Sequence, residues 1–185
     1  MPDQPILALD QSLSSTGFAL LKAGSVILSG SWRLCDGAKN RSLGFRELWG
    51  KLDAMHKGHR LDRIVHERPS FGAVNQGEDQ LIGAIGLIAI IELFANSRGI
   101  NVADYSVQSW RTTFFTKAER KAIAAKPKKV RDWKRPAIMR ACQLGFDPAT
   151  HDQAEAIAIL DHHLLTNRIM PQWREKAGIM LEPVA

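Results

Sequence analysis

The sequence predicts an α/β domain in which a mixed five-stranded sheet is flanked by helices. Two observations carry this prediction. Three short apolar runs stand close together at the start of the chain, with only brief turns between them. After them, stretches with apolar residues at helical spacing alternate with two further strand-like runs. An extended start followed by helix–strand alternation is typical of α/β domains.

The first three strands are predicted over 5–10, 16–22 and 25–33. Each run is short, is rich in apolar side chains and is bounded by turn residues. Because the connections are brief, the three runs should form an antiparallel meander. The first run ends on Asp10. This carboxylate should lie at the end of the strand, since a sheet interior cannot hold an unpaired charge.

Helices separate the remaining strands. Apolar residues at spacings of three and four predict an amphipathic helix over 44–56. The fourth strand is predicted over 61–67 and again ends on a carboxylate, Glu67. A helix follows over 78–98, and it is apolar over much of its circumference, so it should be mostly buried. A fifth, partly polar strand is predicted over 101–107.

Two glycines of the long helix, Gly83 and Gly86, lie three residues apart. They permit close packing against the sheet or against a second subunit, and packing of the helix on the sheet is the favoured interpretation.

The last strong helix is predicted over 150–166. Asp152 and Glu155 stand three residues apart near its start, so both carboxylates project from one face. The neighbouring His151 either orients a ligand or is a helix-capping neighbour. Residues 1–166 are expected to form the domain, and residues 167–185 a tail.

A second polar cluster lies further along this helix. Asp161, His162 and His163 are consecutive and therefore point in different directions. This arrangement predicts a solvated helix end rather than a metal cluster.

The chain is basic, with a formal net charge of +6 from 25 Lys and Arg against 19 Asp and Glu. Such an excess favours polyanionic partners. The cations are concentrated between 117 and 135, and a solvated basic helix is the alternative interpretation. They are Lys117, Arg120, Lys121, Lys126, Lys128, Lys129, Arg131, Lys134 and Arg135.

No sequence feature predicts export or a membrane partner. The longest apolar run, Leu81 to Ala95, falls short of the roughly 20 residues that span a bilayer. The N-terminus lacks a basic region followed by an apolar core, and the two cysteines have no metal-binding spacing. We therefore expect an intracellular, cytoplasmic protein.

Four carboxylates are candidates for one site: Asp10, Glu67, Asp152 and Glu155. Taken singly, each has a plainer explanation, such as an Asx turn, a surface acid or a favourable helix dipole. Together they would repel one another unless divalent cations, which prefer oxygen ligands, lay between them. Two Mg²⁺ ions about 4 Å apart can activate a water and stabilise the leaving oxygen in phosphodiester hydrolysis.

Three segments resemble the RuvC family of Holliday-junction resolvases. Residues 7–17, Leu-Ala-Leu-Asp-Gln-Ser-Leu-Ser-Ser-Thr-Gly, are similar to the opening motif of that family. Residues 64–67, Ile-Val-His-Glu, are similar to its second acidic strand. Residues 151–158, His-Asp-Gln-Ala-Glu-Ala-Ile-Ala, are similar to its C-terminal helix motif. The resemblance covers most of the chain.

The resemblance implies a ribonuclease H-like fold, a homodimer and Mg²⁺-dependent paired nicking of four-way DNA junctions. Two Mg²⁺ ions are expected, with Mn²⁺ as an alternative. It further implies that all four acids are catalytic and ligate the metal. Glu155 stands where the family usually has Asp, and Gln11-Ser12 stands where many relatives have Pro-Gly.

The resemblance also implies how DNA is bound. The basic segment 117–135 should contact phosphates, and Phe71, on the loop after Glu67, should stack on an unpaired base. A packed loop residue is the alternative for Phe71. Compact relatives occur in phages and prophages, so a phage origin is compatible with the sequence.

Three other functions stay open at this point. A broader structure-selective nuclease that cuts flaps or forks would use the same acids. A non-catalytic junction-binding protein would not need all four of them. A sugar-kinase-like or actin-like ATPase would also use a turn such as 10–17, but the chain is short for a two-domain clamp and has no second glycine-rich loop.

Overall fold

The sheet has the five strands that the sequence predicts. The computed structural model describes residues 4–36, 40–69, 78–127 and 130–179. The strands are β1 (Ile6–Asp10), β2 (Thr16–Lys22), β3 (Ser25–Trp32), β4 (Arg63–Arg68) and β5 (Asn101–Ser106). Their spatial order is β3-β2-β1-β4-β5. The first three strands are antiparallel, whereas β4 is parallel to β1 and β5 is parallel to β4. The mixed five-stranded sheet and its meander are confirmed.

Helices cover both faces of this sheet. They are α1 (Arg41–His59), α2 (Glu78–Arg98), α3 (Val107–Phe114), α4 (Lys117–Ala124), α5 (Lys134–Gln143), α6 (His151–Thr166) and α7 (Gln172–Lys176). One core lies between the sheet and the α1–α2 pair, and the other lies between the sheet and α3, α5, α6 and α7.

The central strand β1 contributes to both cores, because alternate residues of a strand point to opposite faces. Leu7 and Leu9 join the core under α1 and α2, whereas Ile6 and Ala8 join the core under α6. All four side chains are buried. The backbone that carries Asp10 is therefore held from two sides.

The outer face of α2 is exposed, so the prediction of a mostly buried helix is wrong. Ile82, Ile85 and Leu93 are exposed, while the opposite face packs into the core. By length and composition alone α2 could cross a membrane, and only 28% of its apolar stretch is buried. The apolar run Leu81 to Ala95 is shorter than the helix that contains it, which has 21 residues. The expected lack of a membrane partner stays a prediction.

The two glycines of α2 face other parts of the same chain. A Cβ on Gly83 would lie 2.7 Å from Cδ1 of Leu13, and a Cβ on Gly86 would lie 2.2 Å from the ring of Phe45. Both glycines therefore permit close packing within the chain, but against the loop between β1 and β2 and against α1 rather than against the sheet.

The polar cluster of α6 is buried, so the prediction of a solvated helix end is wrong. Asp161 is fully buried and forms an ion pair with Arg174 of α7, with Oδ2 and Nη2 2.6 Å apart. Trp173 also donates from Nε1 to Oδ1 of Asp161 over 2.8 Å. These contacts attach α7 to α6. The predicted boundary between the domain and its tail stays a prediction.

The two histidines beside Asp161 have partners of their own. Nδ1 of His162 lies 2.8 Å from the hydroxyl of Thr113, and Nδ1 of His163 lies 2.8 Å from the hydroxyl of Tyr105. Burial lowers the pKa of both imidazoles. Both histidines are therefore neutral parts of the core.

The buried His163 should make the fold less stable as the pH falls. Burial holds its pKa at about 4, below the ordinary value of 6.5. Between these values the unfolded chain binds a proton that the folded chain does not. The free energy of unfolding should therefore fall by up to about 1.4 kcal/mol per pH unit on acidification.

Urea denaturation at pH 7.5 and pH 5.5 checks this expectation. Between pH 7.5 and pH 5.5, the free energy of unfolding should decrease less for His163→Asn than for the native chain. His59→Gln, at the partly exposed end of α1, is the control and should leave the decrease unchanged. An equal decrease in His163→Asn would contradict the expectation.

Candidate active site

Two strand ends bring the first pair of acids to one edge of the sheet. Asp10 is the last residue of β1, and Glu67 is the last but one of β4. The strands are parallel neighbours in which Leu9 pairs with His66. The residues that follow this pair, Asp10 and Glu67, therefore stand side by side.

A glycine brings α6 to the same edge. Gly17, at the start of β2, pairs with Asp10 across the antiparallel ladder. A Cβ on Gly17 would lie only 1.9 Å from the carbonyl oxygen of Asp152. Any side chain here would displace the first turn of α6, so glycine is what permits the helix to approach β1.

Three of the four predicted acids converge. Asp10, Asp152 and Glu155 each offer a carboxylate oxygen, and these oxygens all lie within 4.8 Å of one another. All three residues are half-buried. Glu67 lies outside this group, and its Oε2 accepts a 2.9 Å hydrogen bond from Nε1 of Trp110.

Burial and mutual repulsion disfavour the charged forms of these acids. Burial raises the pKa of Asp10 well above its ordinary value, and the neighbouring carboxylates raise it further. Burial also raises the pKa of Glu155, and it raises that of Glu67 to about 7 against the opposing effect of the Trp110 hydrogen bond. Oxygen ligands that repel one another in a partly buried site suit a divalent cation, which would offset the repulsion.

Both carboxylate oxygens of Asp152 are held by neighbouring side chains. The hydroxyl of Ser15 donates to Oδ2, and Nε2 of His151 lies 2.9 Å from Oδ1. The N-cap of α6 is Thr150, whose hydroxyl accepts from the backbone N–H of Gln153 over 3.1 Å. His151 therefore contacts an acid of the site and does not cap the helix.

Arg111 of α3 is a site residue that the sequence reasoning missed. Its Nη2 lies 3.9 Å from Oε1 of Glu155, and its guanidinium carbon lies 4.6 Å from the ring centre of Trp133 and 5.1 Å from that of Trp110. Because α3 follows β5 directly, a cation there lies at the same sheet edge as the acids. The order of these elements was the signal that could have found it.

The predicted DNA-binding residues are partly described. Six lysines and arginines of the basic segment are exposed on and beside α4 and α5: Lys117, Lys121, Lys126, Arg131, Lys134 and Arg135. Phe71, Lys128 and Lys129 lie outside the described residues.

Two arginines of this segment, the partly buried Arg120 and the exposed Arg131, bind backbone carbonyls. Nη1 of Arg120 donates to the carbonyl of Phe115 over 2.8 Å, and Nη2 of Arg131 donates to that of Ala124 over 2.7 Å. Both guanidinium groups therefore help to hold the segment in place.

Comparison with known proteins relates the fold to solved structures. Neither the protein-family models nor the curated proteins include a match to the chain. The structure of T. thermophilus RuvC in complex with Holliday junction substrate matches with a TM-score of 0.60 at 14% identity, covering 98% of this chain and 99% of that one. A second Thermus thermophilus RuvC structure gives 0.59 at 14%, with coverages of 98% and 100%.

A eukaryotic protein has the same architecture. The yeast mitochondrial Holliday junction resolvase Ydc2 matches with a TM-score of 0.55 at 10% identity, covering 96% of this chain and 86% of that one. These matches extend over nearly the whole chain. The protein therefore has the RuvC-like, ribonuclease H-like α/β fold that the sequence resemblance implied.

Proposed function

We propose that the protein is a crossover junction endodeoxyribonuclease, a metal-dependent enzyme that resolves four-way DNA junctions by paired phosphodiester hydrolysis. The observation that carries this proposal is the convergence of Asp10, Asp152 and Glu155 at the end of β1. The fold supports it, because the similar structures include RuvC in complex with a Holliday junction substrate and a Holliday junction resolvase.

The acids have distinct parts in this proposal. Asp10, Asp152, Glu155 and Glu67 would hold two divalent cations, Mg²⁺ or Mn²⁺. Bound there, the cations would supply Lewis-acid activation of water and would neutralise charge on the phosphate. Asp10 is central, since it stands beside Glu67 in the sheet and shares the oxygen cluster with both acids of α6. Ser15 and His151 orient Asp152 through its two oxygens.

The basic segment supplies the DNA-binding surface. Its exposed lysines and arginines neutralise phosphates, so binding should weaken as salt concentration rises. Such contacts position the DNA without reading its sequence. Phe71 is assigned to base stacking by the resemblance alone. The proposed enzyme acts on DNA inside the cell, and a phage origin stays a prediction.

The outer face of α2 is proposed as the surface through which two copies form a homodimer. Ile82, Ile85 and Leu93 lie three and eight residues apart, which places them on one side of the helix. Exposed apolar stripes of this kind mark interaction surfaces. A dimer would also provide the two sites that paired nicks require.

Replacing Ile85 by Lys should convert the dimer to a monomer, because a charge would be buried at the centre of the interface. Sedimentation velocity measures the change. Ile27→Lys is a matched control, since Ile27 is 48% exposed on β3 and Ile85 is 45% exposed on α2. A native chain that is monomeric at tens of micromolar, or a dimeric Ile85→Lys variant, would refute this interface.

Cleavage of matched DNA substrates tests the proposed activity. The purified protein, with Mg²⁺, is given a four-way junction, a flap, a fork and a plain duplex of shared sequence. We expect paired nicks near the junction centre and at least about tenfold slower cleavage of the other substrates. Equal rates on flaps or forks would favour the broader nuclease. A junction that is bound but uncut in Mg²⁺ and in Mn²⁺ would favour the non-catalytic binding protein.

A further inference from the structure

Trp110 of α3 makes a specific contact with one of the proposed metal ligands. The side chain is fully buried, and its indole N–H donates a 2.9 Å hydrogen bond to Oε2 of Glu67. An indole nitrogen can only donate. The bond therefore requires an acceptor at this oxygen, and it restricts rotation of the glutamate carboxylate.

The surroundings of Trp110 make it a rigid support. It belongs to the core that contains Ala8, Val65 and α6, and its ring lies 6.5 Å from that of Phe115. A glutamate at a strand end otherwise has several side-chain rotamers to choose from. Because Oε2 of Glu67 accepts the hydrogen bond from the indole, Oε1 is the carboxylate oxygen that the indole does not bind.

A second buried tryptophan shows how the Glu67 contact differs from a purely structural one. Nε1 of Trp173 donates to Oδ1 of Asp161, but Asp161 also has Arg174 as its cation. Within residues 4–36, 40–69, 78–127 and 130–179, Glu67 has no such ion pair. Its carboxylate has the indole as a hydrogen-bond donor, and Arg111 acts on it only from beyond ion-pair distance, lowering its pKa against the effect of burial.

We propose that Trp110 is a positioning residue of the metal site, whose indole N–H fixes Glu67 so that Oε1 is presented to a divalent cation. This inference rests on the proposed metal-dependent function. Partners that orient a metal ligand typically change metal affinity by about 10- to 100-fold when they are removed. The sequence resemblance assigned no role to Trp110. The presence of the four acids alone does not explain its hydrogen bond to Glu67.

Binding of Mn²⁺ in the absence of DNA tests the inference. The free Mn²⁺ is measured by electron paramagnetic resonance during titration of the full-length protein. Trp110→Phe keeps an aromatic ring and removes the donor, and its dissociation constant for Mn²⁺ should be at least about tenfold higher than that of the native chain. Trp173→Phe also loses an indole–carboxylate bond, but away from the acids, and its constant should be unchanged.

A double-mutant cycle shows whether Trp110 acts through Glu67. Glu67→Ala should itself weaken Mn²⁺ binding, and adding Trp110→Phe to that variant should weaken it no further. The inference would be overturned if Trp110→Phe bound Mn²⁺ with native affinity. It would also be overturned if Trp110→Phe weakened Mn²⁺ binding equally in the native chain and in Glu67→Ala. Native affinity in Glu67→Ala would also overturn it while leaving the three-acid site intact.

Two further outcomes are separated by the same measurements. If the native chain binds no Mn²⁺, the proposed metal-dependent function fails together with this inference. If Trp110→Phe does not fold, as judged by circular dichroism, benzothienylalanine at position 110 replaces it, because this residue keeps the two-ring shape and lacks only the N–H. Native Mn²⁺ affinity in that protein would overturn the inference.

Discussion

Asp10→Asn should abolish cleavage of a four-way junction while leaving junction binding intact. Asp10 ends the central strand and shares an oxygen cluster with Asp152 and Glu155. An amide keeps the shape of the side chain but removes the negative charge that would hold the cations. We expect the single-turnover cleavage rate to fall by at least about 1,000-fold, which corresponds to about 4 kcal/mol of transition-state stabilisation.

The loss should not arise from unfolding. Burial and neighbouring carboxylates disfavour the charged form of Asp10, so a neutral side chain should leave the free energy of unfolding unchanged or higher in the absence of metal. Asp53→Asn, which changes an aspartate of α1 that pairs with Lys57, is the control and should cleave at the native rate. Cleavage at the native rate by Asp10→Asn would show that the site is elsewhere.

Gly17→Ala should impair both stability and cleavage. The added Cβ would lie 1.9 Å from the carbonyl oxygen of Asp152, so the start of α6 would have to move away from β1. Overpacking of this kind costs about 1–3 kcal/mol. Since a displacement of about 1 Å can reduce a catalysed rate about 100-fold, we expect a loss of that size in single-turnover cleavage.

A glycine of α1 provides the comparison for this variant. A Cβ on Gly50 would meet no atom within 4 Å, and the residue lies inside a helix. Gly50→Ala should therefore stabilise the protein by about 0.5–1 kcal/mol and leave cleavage unchanged. If Gly17→Ala retains native cleavage at native stability, the approach of α6 to β1 is not what assembles the site.

The fold was accessible to sequence reasoning because its signals are local. Apolar runs and helical spacing predicted five strands and the principal helices, and α2 and β2 begin and end at the predicted residues. The sequence did not allow us to predict that Ile85 is exposed. Composition indicates that a helix is apolar, but it does not tell whether an apolar face packs into the protein core or forms a surface that binds a partner.

The candidate site was predictable where its residues follow from strand ends and helix periodicity. Asp10, Asp152 and Glu155 were found in this way, and the structure brings them together. Trp110 and Arg111 were missed as site residues, because their contacts with Glu67 and Glu155 join residues more than 40 positions apart.

The second half of α6 shows the same limit. Asp161 has its partner, Arg174, in a tail to which the sequence assigned no role. Without that partner, a charged residue followed by two histidines is typical of a solvated helix end. The ion pair reverses the interpretation, since a buried acid is stable only when it is paired.

Cleavage of a synthetic four-way junction with and without divalent cation tests the central claim most directly. The protein is first bound to the junction in EDTA, and Mg²⁺ is then added in excess while product strands are resolved on a denaturing gel. We predict an intact junction in EDTA and paired nicks in opposing strands after the addition. Equal cleavage in EDTA, or an intact junction after addition of Mg²⁺ or Mn²⁺, would contradict the account.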